Sequence, residues 1–220
     1  MSYLGGRFTA SVYTTAPLET HQAFSSARSN FKGQSGLDFF QDMDPVKLSY
    51  NQEQISKYPK QIVDLYSAFS WIEGKVSVND TRYVGIMEDD FEWCPDSWDE
   101  LKAVIYEVAS RDQLEKGGPL CGIFVATGGS GLVVRTHILR LLRQALTQYG
   151  TKMKPDVLIQ DCLAGDLELC SSCKLAASRR MILRHTGATE STYENRTYPE
   201  DRWQCGWRQP FNGRLGIWVP

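Results

Sequence analysis

Three consecutive acids, Glu88-Asp89-Asp90, stand directly behind the apolar run Tyr83-Val84-Gly85-Ile86-Met87. Adjacent carboxylates repel one another, so a cluster at a strand exit costs stability unless a cation sits among them. Carboxylate oxygens suit a hard cation such as Mn²⁺ or Mg²⁺, which keeps positions for water and for substrate phosphates. A nucleotide diphosphate is the complement of such a site. The competing reading is an acidic turn ahead of the next helix. Two further groups fall at expected strand ends. Asp161, after the run Asp156-Val157-Leu158-Ile159, is placed either to take a proton from an attacking hydroxyl or to cap the following turn. His185, after Met181-Ile182-Leu183-Arg184, offers a nitrogen to a metal, a contact to phosphate or a plain structural hydrogen bond.

Two other clusters have weaker chemistry. Gly128-Gly129-Ser130-Gly131 lets backbone approach a ligand closely, yet its spacing is neither a Walker loop nor a dinucleotide fingerprint, and a simple hairpin turn explains it equally well. Cys170 and Cys173 have zinc-like spacing without a second pair. A disulfide between them, or pairing of either with Cys162 or Cys205, is the expected outcome. The tail Trp203-Gln204-Cys205-Gly206-Trp207-Arg208 offers rings that stack on sugar faces or pack inward.

The elements that position these groups follow from periodicity. The run Arg7 to Thr15 reads as an early strand, and about 20–50 as a long polar loop with short helical pieces. Ile62, Leu65, Tyr66 and Phe69 predict a helix starting near Pro59; Trp98, Leu101, Val104, Ile105 and Val108 predict one over 96–110. Asp96, Asp99 and Glu100 belong to that helix start. Strands are expected at 82–87, 121–127, 132–136, 156–159 and 180–185, with helices at 137–150 and across Leu175 to Arg180. Strands alternating with helices give an α/β domain in which ligands gather at strand ends.

Bulk properties narrow the partners. The 220 residues carry 42% apolar side chains and a net charge of -2, enough for one substantial domain and without the basic footprint of a nucleic-acid or membrane-surface binder. No stretch reads as a membrane span or a secretory signal in this chain. Six cysteines, with the sequons at Asn79 and Asn195, lean towards a disulfide-bonded glycoprotein of an oxidising lumen.

Taken in order, the motifs resemble those of glycosyltransferases of the GT-A fold. Glu88-Asp89-Asp90 resembles their EDD or DxD metal motif, Gly128 to Gly131 the glycine turn beside the donor sugar, Asp161 the base of inverting members, and His185 the late histidine of the metal site. The nearest groups are the N-acetylglucosaminyltransferase IV family and the GPI-anchor N-acetylgalactosaminyltransferase. The fringe and β-1,3-galactosyltransferase group has a comparable motif order. This resemblance implies a single 1–220 domain, a three-layer α/β unit with a mixed, mostly parallel sheet. Residues 56–213 form its core, and 1–55 a partial or irregular N-terminal nucleotide-binding part, since only 87 residues precede Glu88. It implies Mn²⁺ or Mg²⁺ on Glu88, Asp89, Asp90 and His185, a UDP-sugar donor touching Asp89, Gly129 and Ser130, and Asp161 as base towards a glycan acceptor. The expected place is the Golgi or ER lumen, with a membrane anchor in full-length members. The alternatives are an inactive glycan-binding protein of the same fold and a metal-dependent phosphoesterase.

Overall fold

The computed structural model describes residues 8–44, 59–76, 83–112, 119–126, 131–186, 204–208 and 217–219. Its centre is a five-stranded sheet built from β3 (Tyr83–Ile86), β5 (Leu120–Phe124), β6 (Leu132–Arg135), β7 (Lys174–Ser178) and β11 (Ile217–Val219), in the order β11-β7-β5-β6-β3. Pairings of β7 with β11 and with β5 are parallel, while β5–β6 and β6–β3 are antiparallel. The sheet is therefore mixed, as expected, but evenly divided and not mostly parallel.

Alternation along the inner strands sends successive side chains into two cores. Cys121, Phe124, Leu132, Val134, Leu175 and Ala177 face the helices α2 (Pro59–Lys75), α4 (Leu139–Tyr149) and α5 (Pro155–Ala164), meeting Ile62, Phe69, Leu142, Leu146, Leu158 and Leu163. Leu120, Ile123, Val133 and Ala176 face α3 (Ser97–Asp112) through Leu101, Val104 and Val108. Helices on both faces of one sheet give three layers. Of the stripes that predict these two helices, Ile62, Phe69, Leu101, Val104 and Val108 are buried and Leu65, Tyr66 and Ile105 half-buried, whereas Trp98, expected on the inner face of α3, is exposed at its first turn.

Two expectations fail for the same physical reason: a short apolar run has no period of its own. The segment from Asp156 to Ile159, expected as a strand, is the first half of α5. Pro155 supplies the first helical position and Gly165, at φ 83°, the left-handed cap. Leu158, Ile159, Cys162 and Leu163 are then buried at helical spacing. Conversely the segment from Leu175, expected as a helix, is β7, whose small Ala176 and Ala177 lie in the two opposite cores. The run from Arg180 to His185 is also two strands. β8 (Arg180–Met181) pairs with β10 (Gly206–Trp207), and β9 (Leu183–His185) pairs with β4 (Phe91–Trp93).

The N-terminal region is more regular than expected. β1 (Ala10–Thr14), α1 (Gln22–Asn30) and β2 (Leu37–Gln41) form a βαβ unit with parallel strands. It packs on α2 through Tyr13, Phe40 and Trp71, with Trp71 5.0 Å from the Phe40 ring. Thr15 Oγ1 donates to Asp64 at 2.8 Å and Lys75 pairs with Asp38, holding the unit to the same helix.

All six cysteines are paired: Cys94–Cys205, Cys121–Cys173 and Cys162–Cys170. Of the pairings that the sequence left open for Cys170 and Cys173, Cys162–Cys170 is present, whereas Cys170 and Cys173 do not pair with each other. Three disulfides fit an oxidising compartment. Among the described residues no helix is long and apolar enough to cross a membrane. The sequons at Asn79 and Asn195 lie outside the described residues.

Candidate functional site

β3 is an edge strand, half-buried rather than buried, so the acids behind it leave the sheet at its rim. They form the connection into β4, which pairs in antiparallel register with β9 so that Phe91 stands opposite His185. That register is what brings Asp90 to His185. The His185 Nε2 atom lies 2.8 Å from Asp90 Oδ2, and the Phe91 ring covers the imidazole at 4.7 Å between centroids. Thr186 closes the corner, its N–H and its hydroxyl both donating to the Asp90 carbonyl at 2.8 Å.

The second oxygen of the same carboxylate, Asp90 Oδ1, is buried and has no hydrogen-bond donor among the described residues. A carboxylate oxygen withdrawn from water without a donor is costly, and a cation is the partner that relieves it. Glu88 adds a second carboxyl. Protein atoms crowding it push its pKa up to about 7, with the charges of Asp90, Asp156 and Asp89 acting in the same direction and that of His185 against them. The residue nevertheless keeps exposed surface, so a ligand reaches it from solvent. Asp89 is exposed at the tip of the turn. The donor set fits a hard divalent cation once the Asp90–His185 bond opens: Asp90 supplies the unsatisfied oxygen, Glu88 a carboxylate on losing its proton, and His185 the Nε2 nitrogen now bonded to Asp90. Among the described residues no group of three or more His, Cys, Asp or Glu side chains is already drawn together as a cage. A cation that keeps waters and substrate oxygens in its shell does not need one.

The glycine turn adjoins this corner. Gly131, at φ 69°, donates its N–H to Ile86 O at 2.9 Å and accepts from Val125 N at 2.8 Å, joining the ends of β3, β5 and β6. A Cβ there would stand 2.2 Å from Ala126 Cβ, so only glycine fits. Ala126 in turn packs with Phe91 and Leu183, one residue on each element that carries the acids, the turn and the histidine. Gly129 and Ser130, expected beside the donor, lie outside the described residues.

Asp161 is placed differently from its expectation. It lies in the last turns of α5, is buried, and does not end a strand. The carboxylate of this helix whose charge reaches Glu88 is Asp156, in the first turn and half-buried. The signal for it was the Pro155-Asp156 pair, an N1 proline followed by an acid in the first turn, which marks a helix start.

Arg208 is the other residue that sequence reasoning passed over. Buried at the ends of β5 and β7, it donates from Nε to Ser178 O at 2.9 Å, from Nη1 to Ala126 O at 2.6 Å and from Nη2 to Phe124 O at 3.0 Å. Burial lowers its pKa to about 10, which leaves it charged at neutral pH. The Cys94–Cys205 bond ties the same segment to the end of β4. Arg208 and Cys205 thus grip both the end of β5 and the strand behind the acids. Trp207 is exposed, with Arg180 5.9 Å from its ring, and Trp203 lies outside the described residues.

No protein-family model matches the chain, and neither a curated protein nor a solved structure is significantly similar to it.

Proposed function

We propose that this protein is a metal-dependent glycosyltransferase of GT-A type, moving a sugar from a nucleotide donor, UDP-linked by the resemblance of its motifs, to a glycan hydroxyl with inversion. The observation that carries this reading is the Asp90–His185 pair, with one buried carboxylate oxygen lacking a donor among the described residues, beside Glu88 at the sheet rim of a three-layer α/β unit. Asp90 and His185 would hold Mn²⁺ or Mg²⁺, with Glu88 or Asp89 completing the protein's share. Bound there, the cation supplies Lewis-acid neutralisation of a leaving diphosphate.

The chain's own residues do the rest. Phe91 packs on the imidazole and Thr186 holds the Asp90 backbone, so the two ligands stay side by side and exchange only their mutual bond for the metal. Gly131 ties the start of β6 to Ile86 and Val125, which keeps the end of β5 close to the strand that leads into the acids. An inverting transfer also needs a carboxylate to accept the proton of the attacking hydroxyl. Asp161 is the expected base. Asp156 is the better placed of the two, since its charge reaches Glu88 and its side chain is only half-buried, whereas Asp161 is buried among core residues.

The reading predicts that the UDP–Mn²⁺ complex, at about a hundredfold its Kd, stabilises the chain by about 2.7 kcal/mol, raising Tm by about 5–10 °C. Asp90→Ala abolishes that shift. An equal shift in the variant rejects the assigned ligand. Turnover of a UDP-sugar with a glycan acceptor then separates the bases: Asp156→Asn removes it and Asp161→Asn spares it.

A further inference from the structure

We propose that Trp93 and Trp98 form a stacking ledge for a neutral oligosaccharide, the acceptor side of the site; this rests on the transferase reading above for its role, though not for the binding itself. Three large rings lie together on the surface beside the acidic corner. Trp93 and Trp98 meet edge to face at 5.4 Å, and Phe8 meets Trp98 at 4.6 Å. They are 46%, 41% and 53% exposed. Rings with an apolar face and a polar tip favour a ligand that is itself part apolar and part wet.

The ledge is continuous with the candidate site. Along β4, Phe91 and Trp93 share one face, and the residues opposite them on β9, His185 and Leu183, share it too. Trp93 therefore stands on the ribbon face that carries His185. From Asp90 the chain advances three residues at about 3.3 Å each, about 10 Å in all. A short oligosaccharide spans that distance from ring to reacting hydroxyl.

Charge argues for a neutral ligand. Glu92 points to the opposite face of β4 and is held by Arg184, whose Nε lies 2.9 Å and Nη2 2.5 Å from its Oε2. On α3, Asp99 pairs with Lys102 and Glu100 with Arg180. Glu92, Asp99 and Glu100, three of the charges flanking the rings, are thus already paired. Area argues against a protein partner. Three aromatic side chains of about 150–250 Å² each, about half exposed, offer about 200–400 Å², against about 800 Å² per partner in a stable interface.

The test is a saturation-transfer NMR titration of the full chain with chitotriose and with mannotriose, without metal or nucleotide. Wild type binds at least one of them saturably. Trp93→Ala and Trp98→Ala weaken binding tenfold or more at unchanged Tm, and Trp93→Phe restores most of it. Failure of wild type to bind either sugar overturns the ledge, as does wild-type affinity in both alanine variants. If ring-dependent sugar binding is found but UDP and Mn²⁺ give no thermal shift, the transferase reading falls and the ledge stands; the reverse pattern removes the ledge alone.

Discussion

Replacing Arg208 by Met keeps most of the buried stem and removes the guanidinium that joins the ends of β5 and β7. Three carbonyls lose a charged donor: Phe124, Ala126 and Ser178. The single Ser178 hydroxyl proton is shared between Arg180 O at 2.6 Å and Phe124 O at 3.3 Å and favours the nearer, so all three carbonyls are left to find new partners. At about 1–3 kcal/mol for each unsatisfied buried acceptor, the gross loss is about 3–9 kcal/mol. Releasing a buried cation from its desolvation cost offsets part of it. The net expectation is a destabilisation of about 3 kcal/mol, or a Tm lower by about 6–12 °C. Urea unfolding of the disulfide-intact chain reads it directly, with Arg208→Lys as control. An ammonium is a single point that cannot span three carbonyls on two strands, so Lys recovers less than half. A loss below about 1 kcal/mol in Arg208→Met would refute the idea that this residue braces the ends of β5 and β7.

Other consequences follow from the same geometry. Gly131→Ala forces a left-handed backbone and a Cβ against Ala126 together, costing more than about 2 kcal/mol in thermal unfolding. The Glu88 carboxyl, raised from 4.5 to about 7, binds its proton more tightly in the folded chain than in the unfolded one. Its contribution to stability is complete below about pH 4.5 and is lost as pH rises through about 7, so Glu88→Gln flattens that part of the pH–Tm curve. Cys121→Ala with Cys173→Ala opens a link across 52 residues, and chain entropy alone sets the cost near 4 kcal/mol in denaturant unfolding.

How much of this was legible in the sequence varies with the kind of signal. Long periodic helices were, because Leu101, Val104 and Val108, or Leu139, Leu142 and Leu146, can only bury one stripe. The approach of His185 to Asp90 was anticipated only as two strand ends; the antiparallel β4–β9 register that makes it is non-local and leaves no local trace. Short runs misled in both directions. The segment from Asp156 was expected as a strand although Pro155 and Gly165 bracket it as a helix, and that error placed Asp161 at a rim where it does not stand. Ala176 and Ala177 were expected in a helix because small residues suit one; they suit equally a central strand between two helical layers. The βαβ character of residues 10–41 was hidden because its strands are half-exposed and show little alternation. The Cys94–Cys205 and Cys121–Cys173 bonds depend on tertiary proximity that spacing does not report.

The central claim is that Asp90 and His185 hold a divalent cation. Electron paramagnetic resonance of free Mn²⁺ during titration into the metal-free chain counts bound ions without reference to any substrate. The account predicts one site per chain, tighter at pH 8 than at pH 6 as Glu88 gives up its proton, and lost in both Asp90→Asn and His185→Ala. Mn²⁺ bound equally by wild type and both variants, or not retained by wild type even with UDP present, would contradict it.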